Sequence, residues 1–426
     1  MSFEQQSIFS FLKPWPAVLR QVELVVLSLK RRQLSGSFTC AKATLELLRS
    51  LIGTCKFVNT KQIMHYVRSM GQVLQQASPS EFSIGNVVRR VLFIIREEYS
   101  HKLKELTQEV QSGVKDMTVS RKGKSRSNSS LSDNSDSGVQ DTAGSRNTAS
   151  SSGDAPPLPM PSMGRGLSLG SVFETPSDGQ GVGVEGSSDF SKSLEFTQYF
   201  DMRQGVMTAI NEVHEEMENV QAPIAEVALE HIHSHECVMV IGESRTVESF
   251  IRAAARKVQF HVIIVAEGTA LTGHKQAASL SSLSNISVTL IPESAVYAIM
   301  SRVNKVIFSP QAVMADGGAI CLSGHLMTIL AAREHAVPVV GVTGVYKLTP
   351  LFSHNQTHVL DVMNSPCTTL AYNSPVNSDN VEISVPIFDY ISPVNIELFV
   401  TNNGSHQPSY VYRLLSEFFH QDDYDI

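Results

Sequence analysis

Between residues 236 and 344 the apolar residues switch repeatedly between the period of a buried strand and that of a helix. This alternation restricts the fold more than any other feature of the chain. Val238, Met239, Val240 and Ile241 form a continuous apolar run, as expected of a strand covered on both faces. Val247, Ile251, Ala254 and Val258 then lie on one side of a helix. The pattern predicts strands over 260–265, 286–291, 305–308 and 337–342, with helices around 277–283, 295–303 and 324–335 between them. Strands and helices alternating at this pace imply right-handed βαβ units and a parallel sheet. A later strand, 397–401, leads to a helix with Pro408 near its start and Val411, Leu414, Leu415 and Phe418 facing inward.

The first 111 residues read as helices. Val18, Val22, Val25 and Leu29 share one helical stripe, and so do Ala41, Leu45, Leu48 and Ile52. Ile63, Val67, Met70 and Leu74 form a third, and Ile84, Val88, Val91 and Ile95 a fourth. Ser37 or Thr39 is the expected N-cap of the second helix. Breaks such as Ser35-Gly36 and Ser78-Pro79 separate the helices, giving an antiparallel bundle or array. Over 112–192 serine, glycine, aspartate, asparagine and proline take over. Ordering each residue costs ~1–2 kcal/mol of backbone entropy. Apolar residues are too sparse there to offset that cost, so a disordered linker is expected. Its basic run, Arg121-Lys122-Gly123-Lys124-Ser125-Arg126, reads either as a solvated stretch or as a contact for an acidic surface. Helical pattern resumes over 193–235, with Val206, Ile210, Val213 and Met217 on one stripe and Pro223 in the first turn of a further helix. The expected architecture is therefore α/β, an N-terminal all-helical domain interrupted by the linker and followed by a parallel-sheet domain over 236–426.

Composition bounds the function. A hydrophobic content of 42% suits a globular protein, and a net charge of -7 argues against bulk binding of a nucleic-acid backbone. The five cysteines are scattered and odd in number, which suggests free thiols in a reducing compartment. Residues 1–21 carry no basic region followed by an apolar run, and no stretch approaches the ~20 apolar residues a membrane span needs. A cytosolic location, without membrane or direct nucleic-acid partners, is expected.

In an open α/β sheet, ligands sit beyond the carboxyl ends of the strands. The loops there are Gly242-Glu243-Ser244-Arg245, Glu267-Gly268-Thr269, Pro292-Glu293-Ser294, Ser309-Pro310-Gln311 and Gly341-Val342-Thr343-Gly344. None matches a dinucleotide or phosphate-loop motif, so no cofactor is expected. Ser244 lacks a His-Asp context and reads as a helix cap, and Cys237 stands at the wrong end of its strand for a nucleophile. His231, His233, His235 and Cys237 straddle a helix–strand junction at spacings unlike those of zinc sites, and read as exposed or interface residues rather than metal ligands. Asp316-Gly317-Gly318 reads as a tight turn, with a remnant substrate loop as the alternative.

The segments 242–257 (GESRTVESFIRAAARK), 300–307 (MSRVNKVI) and 228–234 (ALEHIHS) carry a resemblance, together with Gly85-Asn86-Val87-Val88-Arg89-Arg90, Phe388-Asp389-Tyr390 and 408–417 (PSYVYRLLSE). The chain resembles the alpha/beta/delta regulatory-subunit family of eukaryotic translation initiation factor 2B, its beta branch most closely. The resemblance implies a Rossmann-like C-terminal domain similar to that of isomerases acting on methylthioribose-1-phosphate and ribose-1,5-bisphosphate. Those enzymes use a cysteine after the first strand, an aspartate in a Gly-Ala-Asp loop and an Asn-Lys pair. The matching stretches here read Gly242-Glu243-Ser244, Ser309-Pro310-Gln311 and Cys321-Leu322. Leucine cannot supply the cation a phosphate needs.

The resemblance therefore implies a non-catalytic subunit of the assembly that exchanges GDP for GTP on initiation factor 2. Its implied partners are the alpha, gamma, delta and epsilon subunits, in a decamer with two copies of each that senses phosphorylation of the alpha subunit of initiation factor 2. Pairing with delta through the C-terminal domain is implied, and so is a subunit-interface or pocket role for His235 and His274. Two other readings compete: a sugar-phosphate isomerase with relocated residues, using Asp316, and a metabolite-sensing module that holds phosphate through Arg245.

Overall fold

The four predicted stripes are the buried faces of helices α2 (Pro16–Lys30), α3 (Ser37–Thr54), α4 (Thr60–Ala77) and α5 (Phe82–Lys122), preceded by the short α1 (Ile8–Leu12). The computed structural model describes residues 8–122, 187–266, 272–352, 362–374 and 381–426. Leu45, Leu48, Ile63, Val67, Leu74, Val88 and Ile95 form one core with Val206 and Ile210 of α6 (Ser187–Asn219). Each such side chain contributes ~1.5–3 kcal/mol when taken out of water. Helix α5 continues to Lys122, past the boundary drawn at 112 from composition, and the remainder of the expected linker, 123–186, lies outside the described residues. Neither Ser37 nor Thr39 caps α3. The N-cap is Gly36, at φ 92°, and the Thr39 hydroxyl instead donates to the carbonyls of Ser35 and Gly36. Among the described residues no helix is long and apolar enough to cross a membrane.

Helices α7 (Gln221–Glu226) and α8 (Ala228–His231) lead into the sheet. Its parallel strands are β1 (Cys237–Ile241), β2 (Phe260–Ala266), β3 (Ile286–Pro292), β4 (Lys305–Phe308), β7 (Val339–Val342) and β9 (Leu398–Thr401). The antiparallel β10 (Gly404–His406) completes one edge, and the order is β10-β9-β7-β4-β1-β2-β3. Side chains alternate between the two faces. Val238, Val240, Val262 and Ile264 pack under α7, α8 and α9 (Arg245–Ala255), whereas Met239, Ile241, Ile263 and Phe308 pack under α11 (Val296–Ile299), α12 (His325–Glu334) and α13 (Val411–Phe418). Burial on both faces explains the continuous apolar runs of β1 and β2. Helix α10 (Thr272–Ser281) joins β2 to β3.

A second sheet of three antiparallel strands is built from β5 (Ala312–Val313) and β6 (Ala319–Leu322), which follow β4 in the chain, and β8 (Phe388–Ile391), which comes after β7. The sequence pattern predicts no strands there, only a tight turn at Asp316-Gly317-Gly318 ahead of the 324–335 helix, which is present as α12. That turn, at Asp316 and Gly317, joins β5 and β6 into a hairpin. β5 has two residues, β6 is a short apolar run, and β6 finds its second partner far along the chain. No local period can report such a sheet.

Helical core and sheet fall within one compact unit, Met1–Leu106 with Lys192–Ile426, and Thr107–Ser191 form a separate one. The C-terminal residues tie the helical layer to the sheet layer. Asp423 is fully enclosed, and its carboxylate accepts from Arg96 at 2.8 and 3.2 Å and from Arg68. Arg89, also buried, donates through Nε and Nη2 to the Tyr424 carbonyl at 3.0 and 2.9 Å. Burial raises the pKa of Asp423, but the bonds from Arg96 and Arg68 outweigh it and hold the carboxyl below its ordinary value. A carboxylate depressed on folding contributes stability above its unfolded pKa and loses it as pH falls through the folded one. Asp423→Asn is therefore expected to cost about 2–3 kcal/mol at neutral pH, less than a fully buried pair because the two arginines are partly exposed. In urea titrations the gap to wild type stays constant down to about pH 4 and closes below it. A constant gap through pH 2 would remove Asp423 from this role.

Candidate functional site

Strand order reverses between β1 and β4, so the crevice a ligand would occupy lies where these strands end. Gly242, at φ 80°, turns the chain out of β1. Ser244 then caps α9, its hydroxyl accepting from the Val247 amide at 3.5 Å, which is the capping role its sequence context suggests. Arg245 is exposed in the first turn. The Glu267-Gly268-Thr269 loop lies outside the described residues.

Past β4 the crevice is filled by the chain itself. Gln311 Nε2 donates to Glu81 Oε2 at 3.1 Å, and the Gly36 amide donates to the other oxygen of Glu81 at 3.3 Å. The Ser37 hydroxyl donates to the Gln311 carbonyl at 3.4 Å. From the loop after β7, Lys347 reaches the Pro310 carbonyl at 2.9 Å and the Ser309 hydroxyl at 3.3 Å. Two pieces of the helical layer, the start of α3 and the residue before α5, therefore sit on the strand-end loop. Burial raises the carboxyl of Glu81, against the bonds from Gly36 and Gln311 and the charge of Lys347. Burial likewise pushes the Lys347 ammonium down to about 8, against the pull of Cys321 and Glu81.

Among the described residues, the other positions the sequence singles out offer no reactive group to this crevice. Cys321 is fully buried within β6, and burial drives its thiol far above the ordinary range, with Lys347 acting in the opposite sense. Leu322 is 42% exposed at the end of the same strand. Asp316 is committed to its hairpin: Oδ1 accepts from the Gly318 amide at 2.8 Å and Oδ2 from the Tyr390 hydroxyl at 2.5 Å. Gly317, at φ 80°, admits no side chain, because a Cβ would collide with the Pro408 carbonyl. The turn reading of Asp316-Gly317-Gly318 is the one the structure supports.

The histidines ahead of β1 go separate ways. His231 bonds the Ser405 hydroxyl at 2.9 Å, His233 Nδ1 approaches Glu236 at 3.4 Å, and the Cys237 amide donates to Asn304 at 2.9 Å. Among the described residues no three histidine, cysteine or acidic side chains gather as metal ligands. His235 is exposed at φ 65° and donates its amide to the Gln259 carbonyl at 2.8 Å. His274 is exposed in the first turn of α10, which packs so closely on β2 that a Cβ at Gly273 would meet the Val265 carbonyl at 3.0 Å. Because β1 and β2 are parallel neighbours, His235 lies at their amino ends and His274 at the carboxyl end of β2. The two are not brought together within one chain. At ~3.3 Å per residue they stand roughly 20 Å apart along the strand direction.

Sequence reasoning missed Glu81 and Lys347. No motif marks them. The only hint is a lysine standing among apolar residues just beyond a buried strand. A lysine depressed on folding binds fewer protons than its unfolded counterpart between about pH 8 and its ordinary 10.5, so its contribution to stability rises with pH across that window. Compared with Lys347→Met, wild type should therefore gain stability as pH is raised from 8 toward 10. Parallel denaturation profiles for the two proteins over that range would show that this ammonium is not desolvated.

Comparison with known proteins gives a consistent picture. Residues 33–408 match the Initiation factor 2 subunit family. The chain is 38% identical over 405 residues to translation initiation factor eIF2B subunit beta of Dictyostelium discoideum, covering 94% of this chain and 95% of that one. It is 33% identical over 408 residues to the same subunit of Schizosaccharomyces pombe, covering 94% and 96%. Among solved structures, eIF2B beta from Chaetomium thermophilum superposes with a TM-score of 0.62 at 22% identity, covering 98% of this chain and 96% of that one. The tetrameric eIF2B-beta2-delta2 complex from C. thermophilum matches with a TM-score of 0.61 at 22% identity, covering 95% and 96%. These structures share the arrangement of helical region and parallel-dominated sheet. By extent of match and level of identity, the chain belongs to the Initiation factor 2 subunit family.

Proposed function

We propose that this chain is a non-catalytic, beta-type regulatory subunit of a factor 2B assembly, the cytosolic complex that exchanges GDP for GTP on initiation factor 2. The observation that carries the reading is the crevice at the strand ends. Where an isomerase would bind substrate, Glu81, Gln311 and Lys347 are hydrogen-bonded into the protein's own layers, and Cys321 is sealed inside β6. Identity of 33–38% to eIF2B beta subunits along 94% of the chain supports the same reading.

A subunit of this kind needs surfaces for its partners, and the α11–α12 side of the sheet offers one. Tyr297 is 61% exposed on α11, Met327 76% on α12, and Val394 81% on the turn before β9. Leu322 on β6 and Leu330 on α12 are exposed as well, and both α11 and β6 pack against α12, so the apolar side chains of this side are of the kind that mark a protein interface. We assign pairing with a delta subunit to this surface, in keeping with the beta–delta association named for the C. thermophilum complex. His235 and His274, at opposite ends of the strands, would then meet partner chains at two separate places. The alpha, gamma and epsilon subunits, and initiation factor 2 with its alpha subunit phosphorylated or not, complete the proposed partners.

Co-expression of the tagged chain with delta, gamma and epsilon subunits should recover all of them in one assembly. Met327→Asp together with Leu330→Asp should cut recovery of delta at least tenfold while leaving the far-ultraviolet circular dichroism unchanged. Isolation of wild type as a lone monomer would overturn the reading. Turnover of ribose 1,5-bisphosphate, abolished by Asp316→Ala, would point to an isomerase instead.

A further inference from the structure

Two neighbouring arginines of α5 are drawn out of water without an ion pair: the buried Arg89, which is satisfied by the Tyr424 carbonyl, and the half-buried Arg90, which has no such partner. Arg90, on the sheet-facing side of α5, is stacked between two rings, with its guanidinium carbon 4.8 Å from the centre of Phe418 and 5.4 Å from that of Phe93. Its only hydrogen bond among the described residues is a long one, 3.5 Å, to the Phe418 carbonyl. No carboxylate of the described residues lies within ion-pair distance of it. Glu216, across the gap, is engaged by the Asn402 amide at 2.8 Å. Burial lowers the pKa of Arg90, with Glu216 and Glu97 only partly compensating from a distance. A buried charge is normally paired, because desolvating it costs several kcal/mol.

This arginine lines an open cleft of about 480 Å³, the solvent at its mouth included, between α5, α6, the loop after β7 and the end of α13. Its walls are largely apolar, with Val213, Val345 and Phe418 among them. None of Gly242, Gln311, Cys321 or Leu322 borders it, so it is distinct from the filled crevice at the β1–β4 switch. Glu216 also lines the cleft, but its carboxylate is held by Asn402, so Arg90 is the charge left to orient a ligand against the apolar walls, the general form of a small-molecule site.

We propose that this cleft is a binding site for a small amphipathic carboxylate, whose anionic group pairs with Arg90 and whose apolar body lies against Val213, Val345 and Phe418. A planar carboxylate can accept two parallel N–H bonds from one guanidinium, which gives the pairing its geometry. An aromatic body also suits the ring-lined wall.

The test uses the full-length chain and 4-fluorobenzoate, followed by fluorine NMR line broadening, with 4-fluorobenzyl alcohol as the neutral counterpart. Wild type should bind the benzoate at least tenfold more tightly than the alcohol. Arg90→Met, which keeps the length and apolar stem of the side chain, should weaken benzoate binding at least tenfold and leave the alcohol nearly unchanged. Val213→Trp, which fills the cleft from its rim, should abolish binding of both probes. The Val213→Trp arm still decides the matter should Arg90→Met fail to fold. Absence of benzoate binding to wild type, or binding indifferent to whichever of these substitutions folds, overturns the proposal.

Discussion

The carboxylate of Asp423 is the joint on which the arrangement of layers depends. A bundle of helices and a doubly wound sheet each bury their own cores, so their relative position is set by the contacts between them, of which this one is the most enclosed. Two guanidiniums from different helices, Arg68 and Arg96, converge on one fully enclosed carboxylate from the last residues of the chain. Arg89 adds two bonds to the next carbonyl. Charge-assisted bonds of this kind are directional, so they specify geometry as well as adding stability. The result is a C-terminal strap that returns to the helices laid down first.

With the layers held in this way, the strand-end crevice closes. Glu81 is delivered by the start of α5, and it can reach Gln311 only if α5 is seated on the sheet. Its partly buried acid and the Lys347 ammonium then lie in the same neighbourhood, each disfavoured by burial and each partly offset by the other. Such a pair adds little net stability. Its consequence is specificity: the helical layer supplies the groups that satisfy the loop after β4, so substrate-like ligands would have to compete with the protein's own side chains. The scaffold keeps the switch-point geometry of a ligand-binding sheet and uses it as an internal contact.

Much of this fold was legible in the chain. The helical stripes and the apolar runs of β1, β2 and β4 are direct consequences of burial, and periodicity reports burial well. The capping role of Ser244 and the turn at Asp316-Gly317-Gly318 were also readable, because both are local. What escaped was non-local. The β5-β6-β8 sheet is built from runs of two to four residues, and β6 and β8 pair across a wide gap in sequence. The clasp at Asp423 and the Glu81–Gln311 contact join residues hundreds of positions apart. Lys347 and Arg90 look like ordinary surface cations until the packing around them is known.

The same distinction explains why the residues that carry the family resemblance are so rarely chemical. Asp389 accepts from the amides of Gly324 and Leu326, at 2.8 and 3.2 Å, and thereby satisfies the start of α12 from a different sheet. Tyr390 fastens the Asp316 hairpin, and Arg89 holds the C-terminal strap. Asp389, Tyr390 and Arg89 each join elements distant in sequence, and replacing Arg89 would leave the Tyr424 carbonyl without its two bonds. In this chain Glu81, Gln311, Lys347 and Asp316 are all engaged at joints between its own elements.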